Sequence, residues 1–180
     1  EPAALETLDP LTRGAIFHEI QFEILTRLRA EGRLPVRVAT LDAARAALDQ
    51  VVDAVATTWK EKLAPAIPRV WDDAVGALRA DLREWLRLAA ESDDGWVPDR
   101  FELSFGLKGR ERGQEDPASV PDPVPVIGAL SLRGSIDLVE RRADGTLRAT
   151  DHKTGKARAR DGVVVGGGEV LQPVLYALVA

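Results

Sequence analysis

Cysteine is absent from this chain of 180 residues, and so is methionine. Without thiols, the chain can build no disulfide, no catalytic cysteine, no zinc–thiolate site and no iron–sulfur cluster from its own residues. No apolar run approaches the roughly 18 residues that a membrane-spanning helix needs, and no signal peptide is visible at the N-terminus. These absences agree with a cytoplasmic protein that has no membrane partner, which is our expectation.

Charge is distributed unevenly along the chain. The formal net charge is −5, which by itself argues against a nucleic-acid binder. The segment 131–160 nevertheless contains eight basic and four acidic residues, a local net charge of +4. Because local fields, rather than the net charge, steer a polyanion into a cleft, this segment stays a candidate for binding one.

The first half of the chain has helical periodicity. In 11–30, large apolar residues recur every four positions, which is typical of a helix with one buried stripe. Helical patterns also occupy 40–64 and 69–91, and Pro65 and Pro68 separate them. The sequence therefore predicts one helix followed by an inserted αα-hairpin.

The apolar period changes near residue 96. The segments 96–109, 126–141 and 146–154 are typical of strands, whereas 111–125 is rich in Pro, Asp and Ser and is predicted to be a mobile surface loop. A helical pattern returns at 169–180. The order of helix, helical hairpin, three strands and helix predicts an α/β fold with a small, mostly antiparallel sheet.

The turn at 143–145 decides which side chains share a face of the last predicted hairpin. A three-residue loop with Gly145 in the left-handed conformation would place Asp137 directly opposite Asp151, with Lys153 on the same face. A two-residue loop would instead place Asp137 opposite His152 and turn Asp151 to the other face. The sequence pattern leaves both registers open, and the chemistry below favours the first.

Two opposed carboxylates and a lysine on one face form a coherent set for phosphodiester hydrolysis. Directly opposed residues have Cβ atoms about 4.5–5.5 Å apart, so ionised Asp137 and Asp151 repel each other unless a proton or a cation intervenes. Oxygen ligands suit Mg²⁺ or Mn²⁺, and Lys153 would orient the attacking water or stabilise the developing charge. The alternative is a solvated Asp–Lys pair. Against it, Asp137 interrupts an apolar run in which an unpaired carboxylate would be costly.

Four short motifs in this order resemble those of the RecB-type exonuclease domain of the PD-(D/E)XK nuclease superfamily. They look like that family's Gly-x-x-x-His, Gly-x-x-Asp, Asp-x-Lys-Thr-Gly and Gln-x-x-x-Tyr motifs: GAIFH (14–18), GSID (134–137), DHKTGK (151–156) and LQPVLY (171–176). The resemblance covers the first helix and the chain from about residue 99 onward. It implies an α/β, restriction-endonuclease-like core of helix, small mixed sheet and helix. The core would be a single domain over 1–180, with 31–96 as a helical insertion.

The resemblance implies roles for individual residues. The metal ligands would be His18, Asp137 and Asp151, holding Mg²⁺ or Mn²⁺. Lys153 would be the catalytic lysine and would act with the two aspartates. Further contributions would come from Glu102 as an accessory acid and from the backbone carbonyl of His152 as a fourth ligand.

The resemblance and the basic segment together imply contacts with DNA. Gln172 and Tyr176 would be one turn apart on the same face of the predicted helix, and they would help to position the nucleic-acid strand and the lysine. Lys156, Arg158 and Arg160 are candidates for contacts with the DNA backbone, and an ordinary solvated basic face is the alternative.

The function implied is a Mg²⁺-dependent DNA exonuclease module of recombination or repair, acting on a single strand or a duplex end. The chain would be an excised or C-terminal part of a longer protein, fused to or associated with a helicase. The lack of cysteine disfavours the iron–sulfur branch of the family for this segment. Two alternatives remain open. One is an inactive nuclease-like module that binds DNA or serves a structural role, and the other is a phosphatase or another Mg²⁺-dependent hydrolase of small molecules.

Overall fold

The computed structural model describes residues 8–107, 115–127 and 130–152. The chain divides into two compact units, one within 1–94 and one within 95–180. Among the described residues, none of the helices is both long enough and apolar enough to cross a membrane.

The first unit is helical. Its elements are α1 (Pro10–Ala30), α2 (Leu41–Leu63) and α3 (Pro68–Glu91), with a short 3-10 turn at Val38–Thr40 before α2. The carboxylate of Asp9 caps α1 by accepting the backbone N–H groups of Leu11 and Thr12, at 3.0 Å each. These bounds agree with the three predicted helices to within about two residues.

One shared apolar core joins these three helices. The stripe predicted for α1 is at most 1% exposed along its whole length, and it packs in one cluster with the apolar faces of α2 and α3. The leucine and isoleucine members of this cluster that are at most 1% exposed are Ile16, Ile20, Ile24, Leu28, Leu48, Leu78, Leu82 and Leu86. The predicted αα-hairpin is therefore confirmed, and its buried face stabilises the unit.

The second unit contains the sheet. Its strands are β1 (Val97–Phe105), β2 (Val124–Ile127), β3 (Leu130–Leu132), β4 (Gly134–Arg141) and β5 (Leu147–Thr150). Strands β1, β4 and β5 form an antiparallel sheet in the order β1-β4-β5, while β2 and β3 form a separate antiparallel pair. The α/β class with a small, mostly antiparallel sheet is confirmed. The helix predicted at 169–180 lies outside the described residues.

The loop between β4 and β5 has three residues, 143–145. Arg142 donates its backbone N–H to the carbonyl of Thr146 at 3.0 Å, which closes the loop. Gly145 has a φ of +86°, the left-handed conformation that this loop requires. The three-residue loop is therefore confirmed.

The same loop sets the register of the hairpin. The ladder continues through the pair Leu138 and Thr150, and the next positions along the two strands are Asp137 and Asp151. The register with Asp137 opposite Asp151 is the one observed, and the two-residue alternative is wrong.

The prediction of a surface loop over 111–125 is wrong in part. Strand β2 begins at Val124, and 115–120 runs beside β1 rather than away from it. Val120 donates its N–H to the carbonyl of Ser104 and accepts the N–H of Gly106, both at 3.0 Å. The unpaired backbone groups at the edge of β1 gain hydrogen bonds when another segment covers them. This segment therefore pairs with β1, although its composition is typical of a turn. The strand predicted over 126–141 is likewise divided between β2, β3 and β4.

Candidate metal centre

Asp137 lies in the interior of β4. Its neighbours Ile136 and Leu138 are buried on one face of the sheet, so the alternation of side chains directs Asp137 to the other face. The Asp137 side chain is half-buried. A carboxylate at such a position needs partners, because an isolated charge loses favourable hydration there.

Glu102 of β1 is the carboxylate across the sheet from Asp137. The pairs Phe101–Leu138 and Leu103–Ile136 flank these two residues on either side. Glu102 is 8% exposed, and each of the two carboxylates has an oxygen within 4.8 Å of the other. Two ionised carboxylates at this separation repel each other, and either a proton or a bound cation relieves the repulsion.

Hydrogen bonds orient both carboxylates. The backbone N–H of His152 donates to Oδ2 of Asp137 at 2.7 Å, which ties the residue after Asp151 to β4. The hydroxyl of Ser135 lies 3.4 Å from Oε2 of Glu102. Bonds of this kind limit the rotamers of a ligand and lower the entropy that it loses when an ion binds.

The other predicted site residues fall in several places. Asp151 directly follows β5, is half-buried and lies at the register position opposite Asp137. His18 lies in the first unit, in the middle of α1, where it is half-buried with its ring 5.9 Å from that of Phe17 in an edge-to-face arrangement. The predicted residues beyond 152 lie outside the described residues, namely Lys153, Lys156, Arg158, Arg160, Gln172 and Tyr176.

The donor atoms of the second unit fit a hard divalent cation. Mg²⁺ binds oxygen at about 2.1 Å in an octahedron, so two ligand oxygens on one ion lie about 3–4 Å apart. The oxygens of Glu102 and Asp137 are within 4.8 Å, which a small side-chain movement converts to that spacing. Carboxylate oxygens without sulfur ligands favour Mg²⁺ or Mn²⁺ over softer metals.

Fold and site together define an α/β protein with a carboxylate pair suited to a divalent cation. A family model described as the PD-(D/E)XK nuclease superfamily matches residues 2–180. The chain therefore belongs to the PD-(D/E)XK nuclease superfamily. Nucleases of this superfamily typically depend on a divalent metal, in agreement with the carboxylate pair. No curated protein and no solved structure matches the chain.

Proposed function

We propose that this chain is a Mg²⁺-dependent DNA exonuclease module of the RecB type that acts in recombination or repair. The observation that supports it most is the pairing of Glu102 and Asp137 in a chain that belongs to a nuclease superfamily. The hairpin register adds Asp151 opposite Asp137, and Asp151 is itself the aspartate of the Asp-x-Lys motif, two residues before Lys153. In this proposal 1–180 form one nuclease domain with 31–96 as its helical insertion, located in the cytoplasm.

The proposed metal ligands are Asp137, Asp151 and His18, as the resemblance implies. The proximity of Glu102 to Asp137 supports a larger role for this acid than an accessory one. The carbonyl of His152 is a further ligand in the proposal, because its own N–H already joins this residue to Asp137. When bound, Mg²⁺ or Mn²⁺ supplies a water of lowered pKa and stabilises charge on a phosphoryl oxygen.

Lys153 is the proposed catalytic cation. As an ammonium it has three N–H donors and no lone pair, so it cannot be a metal ligand. It follows Asp151 by two residues, and continued alternation along β5 would give both side chains the same face. From that face Lys153 would donate hydrogen bonds to the attacking water or to a phosphate oxygen, and so stabilise the charge that develops in the transition state.

The proposed DNA contacts lie further along the chain. Lys156, Arg158 and Arg160 would neutralise phosphates, which predicts that DNA affinity falls as the salt concentration rises. Gln172 and Tyr176 would position the strand that is cleaved. A helicase, fused or associated, would supply the single strand or duplex end, and membranes are not expected as partners.

The test is a panel of substrates given to the wild-type protein with Mg²⁺, with Mn²⁺ and with a chelator. We expect linear duplex or single-stranded DNA to be degraded from its ends only when the ion is present, while supercoiled circles stay intact. Nicked or linearised circles would indicate an endonuclease. Hydrolysis of a phosphate monoester alone would indicate a phosphatase, and DNA binding without hydrolysis would indicate an inactive module.

A matched pair of variants makes the panel specific. Asp137→Asn removes a proposed ligand and should abolish the reaction. Asp99→Asn makes the same chemical change on β1. Asp99 forms an ion pair with Arg141 at 2.9 Å and is not part of the pair of carboxylates formed by Glu102 and Asp137. The Asp99→Asn variant should therefore keep the activity. Equal activity of the two variants would contradict the assignment of Asp137.

A further inference from the structure

Glu102 has an unusual backbone for a residue inside a strand. Its φ is +50°, in the left-handed region that residues with a side chain rarely adopt. Gly145 and Gly106 also have positive φ, but as glycines they adopt this conformation without steric cost. A non-glycine residue keeps such a conformation only when its surroundings impose it, and these positions concentrate at functional sites.

Asp116 contacts the backbone on both sides of this position, from the outer edge of β1. Its carboxylate Oδ2 accepts the backbone N–H of Phe101 at 3.1 Å, and its own backbone N–H donates to the carbonyl of Glu102 at 3.3 Å. In a regular strand the backbone groups of consecutive residues point to opposite edges. Here two consecutive residues present their groups to the same partner, and this departure from the regular pattern coincides with the left-handed φ of Glu102.

The carboxylate of Asp116 is itself held firmly. Asp116 is 1% exposed, and its Oδ1 accepts the backbone N–H of Ala118 at 2.9 Å. Ser119, the residue after Ala118, also contacts β1. Its hydroxyl accepts the backbone N–H of Ser104 at 3.0 Å, which holds the segment 115–120 against β1. A buried carboxylate that accepts two backbone N–H groups has a defined orientation, because each lost bond would leave a donor unsatisfied.

We infer that Asp116 is a positioning residue of the proposed metal centre. It holds Glu102 in the left-handed conformation and thereby directs the Glu102 carboxylate toward Asp137. The inference rests on the proposed function, since it assigns Asp116 to the site at which the ion would bind. It adds a residue that does not touch the ion and that no motif of the sequence identifies.

Two measurements on purified variants test it. The first is metal-free and follows φ of Glu102 through its three-bond HN–Hα coupling in NMR spectra. Asp116→Asn, which keeps the size of the side chain but replaces one acceptor oxygen with a donor, should raise this coupling toward the value of an extended strand. Ser119→Ala is the matched control, because it removes a neighbouring bond to β1 without touching the peptides around Glu102, and it should leave the coupling unchanged.

The second measurement is calorimetric titration with Mn²⁺ in a double-mutant cycle. Asp116→Asn should weaken Mn²⁺ binding about tenfold, the scale seen when a group that orients a metal ligand is lost. In the Glu102→Gln background the same substitution should have no further effect, because Asp116 acts through the Glu102 carboxylate. A role in general stability would lower affinity equally in both backgrounds.

The outcomes separate this inference from the proposed function. The inference would be overturned if Asp116→Asn left the Glu102 coupling unchanged. It would also be overturned if Asp116→Asn lowered Mn²⁺ affinity equally in the wild-type and Glu102→Gln backgrounds. In both cases the proposed metal centre would still stand, provided that Asp137→Asn abolished Mn²⁺ binding. If Asp137→Asn bound Mn²⁺ like the wild type, the proposed metal centre would be wrong, and the role of Asp116 in it would be wrong as well.

Discussion

Asp137→Asn should make the metal-free protein more stable while it removes the response to metal. The substitution deletes one of two carboxylates whose oxygens lie within 4.8 Å of each other. Two unit charges at that distance repel by about 1 kcal/mol in water and by about 3 kcal/mol at an effective dielectric constant of 20. The amide oxygen of asparagine can still accept the N–H of His152, so the hydrogen bond at 2.7 Å is retained.

The free energy of unfolding without metal should therefore rise by about 1–3 kcal/mol, which raises the melting temperature by roughly 2–12 °C for a chain of this size. Chemical denaturation with and without Mn²⁺ measures both effects. At a free Mn²⁺ concentration of 100 times Kd, the wild type should gain about 2.7 kcal/mol, and Asp137→Asn should gain almost nothing.

Asp99→Asn provides the control for this experiment. Asp99 accepts two hydrogen bonds from Arg141, at 3.1 and 2.9 Å, so removing its charge deletes an attraction rather than a repulsion. This variant should be no more stable than the wild type, and it should respond fully to Mn²⁺. The reasoning is refuted if Asp137→Asn is less stable than the wild type without metal, or if it keeps the full Mn²⁺ response.

Three further predictions concern other residues. Lys153→Ala should leave Mn²⁺ binding nearly intact in calorimetry and lower the single-turnover cleavage rate by roughly a hundredfold or more, because it removes one preorganised donor; loss of metal binding would mean a structural role instead. His18→Ala should weaken Mn²⁺ affinity with little change in thermal stability, and unchanged affinity would exclude it as a ligand. The hydrogen bonds from Thr146 hold the pKa of Asp144 below its ordinary value of 3.8. The ionised Asp144 therefore adds to the free energy of unfolding above pH 3.8, and this contribution is lost as the pH falls through the pKa of Asp144 in the folded protein. When stability is measured against pH in acid, Asp144→Asn should not show this loss.

The helices and the last hairpin were predictable because their information is local. Apolar spacing within 11–30 identifies the stripe that is buried in α1, since residues four apart lie on one face of a helix. The hairpin register follows from a three-residue loop that needs Gly145 in the left-handed conformation. That register correctly placed Asp151 at the position opposite Asp137.

The pairing of β1 with β4 was not predictable in the same way. Two further strands lie between them in the chain, so no turn fixes their register and Glu102 could not be aligned with Asp137 from the sequence. Asp116 was missed for a different reason. Its surroundings of Pro, Asp and Ser are typical of a surface loop, yet Asp116 is buried, with its carboxylate accepting backbone N–H groups of β1 and of its own segment.

Single-turnover cleavage of an end-labelled linear DNA in Mg²⁺, compared between the wild type, Asp137→Asn and Asp99→Asn, tests the central claim most directly. Bound metal contributes several kcal/mol to the transition state of phosphodiester hydrolysis, and each 1.4 kcal/mol is a factor of about ten in rate. The account predicts cleavage by the wild type and Asp99→Asn, and a rate at least about a hundredfold lower for Asp137→Asn, which should still bind DNA in Ca²⁺. Cleavage by Asp137→Asn at the wild-type rate would contradict the account.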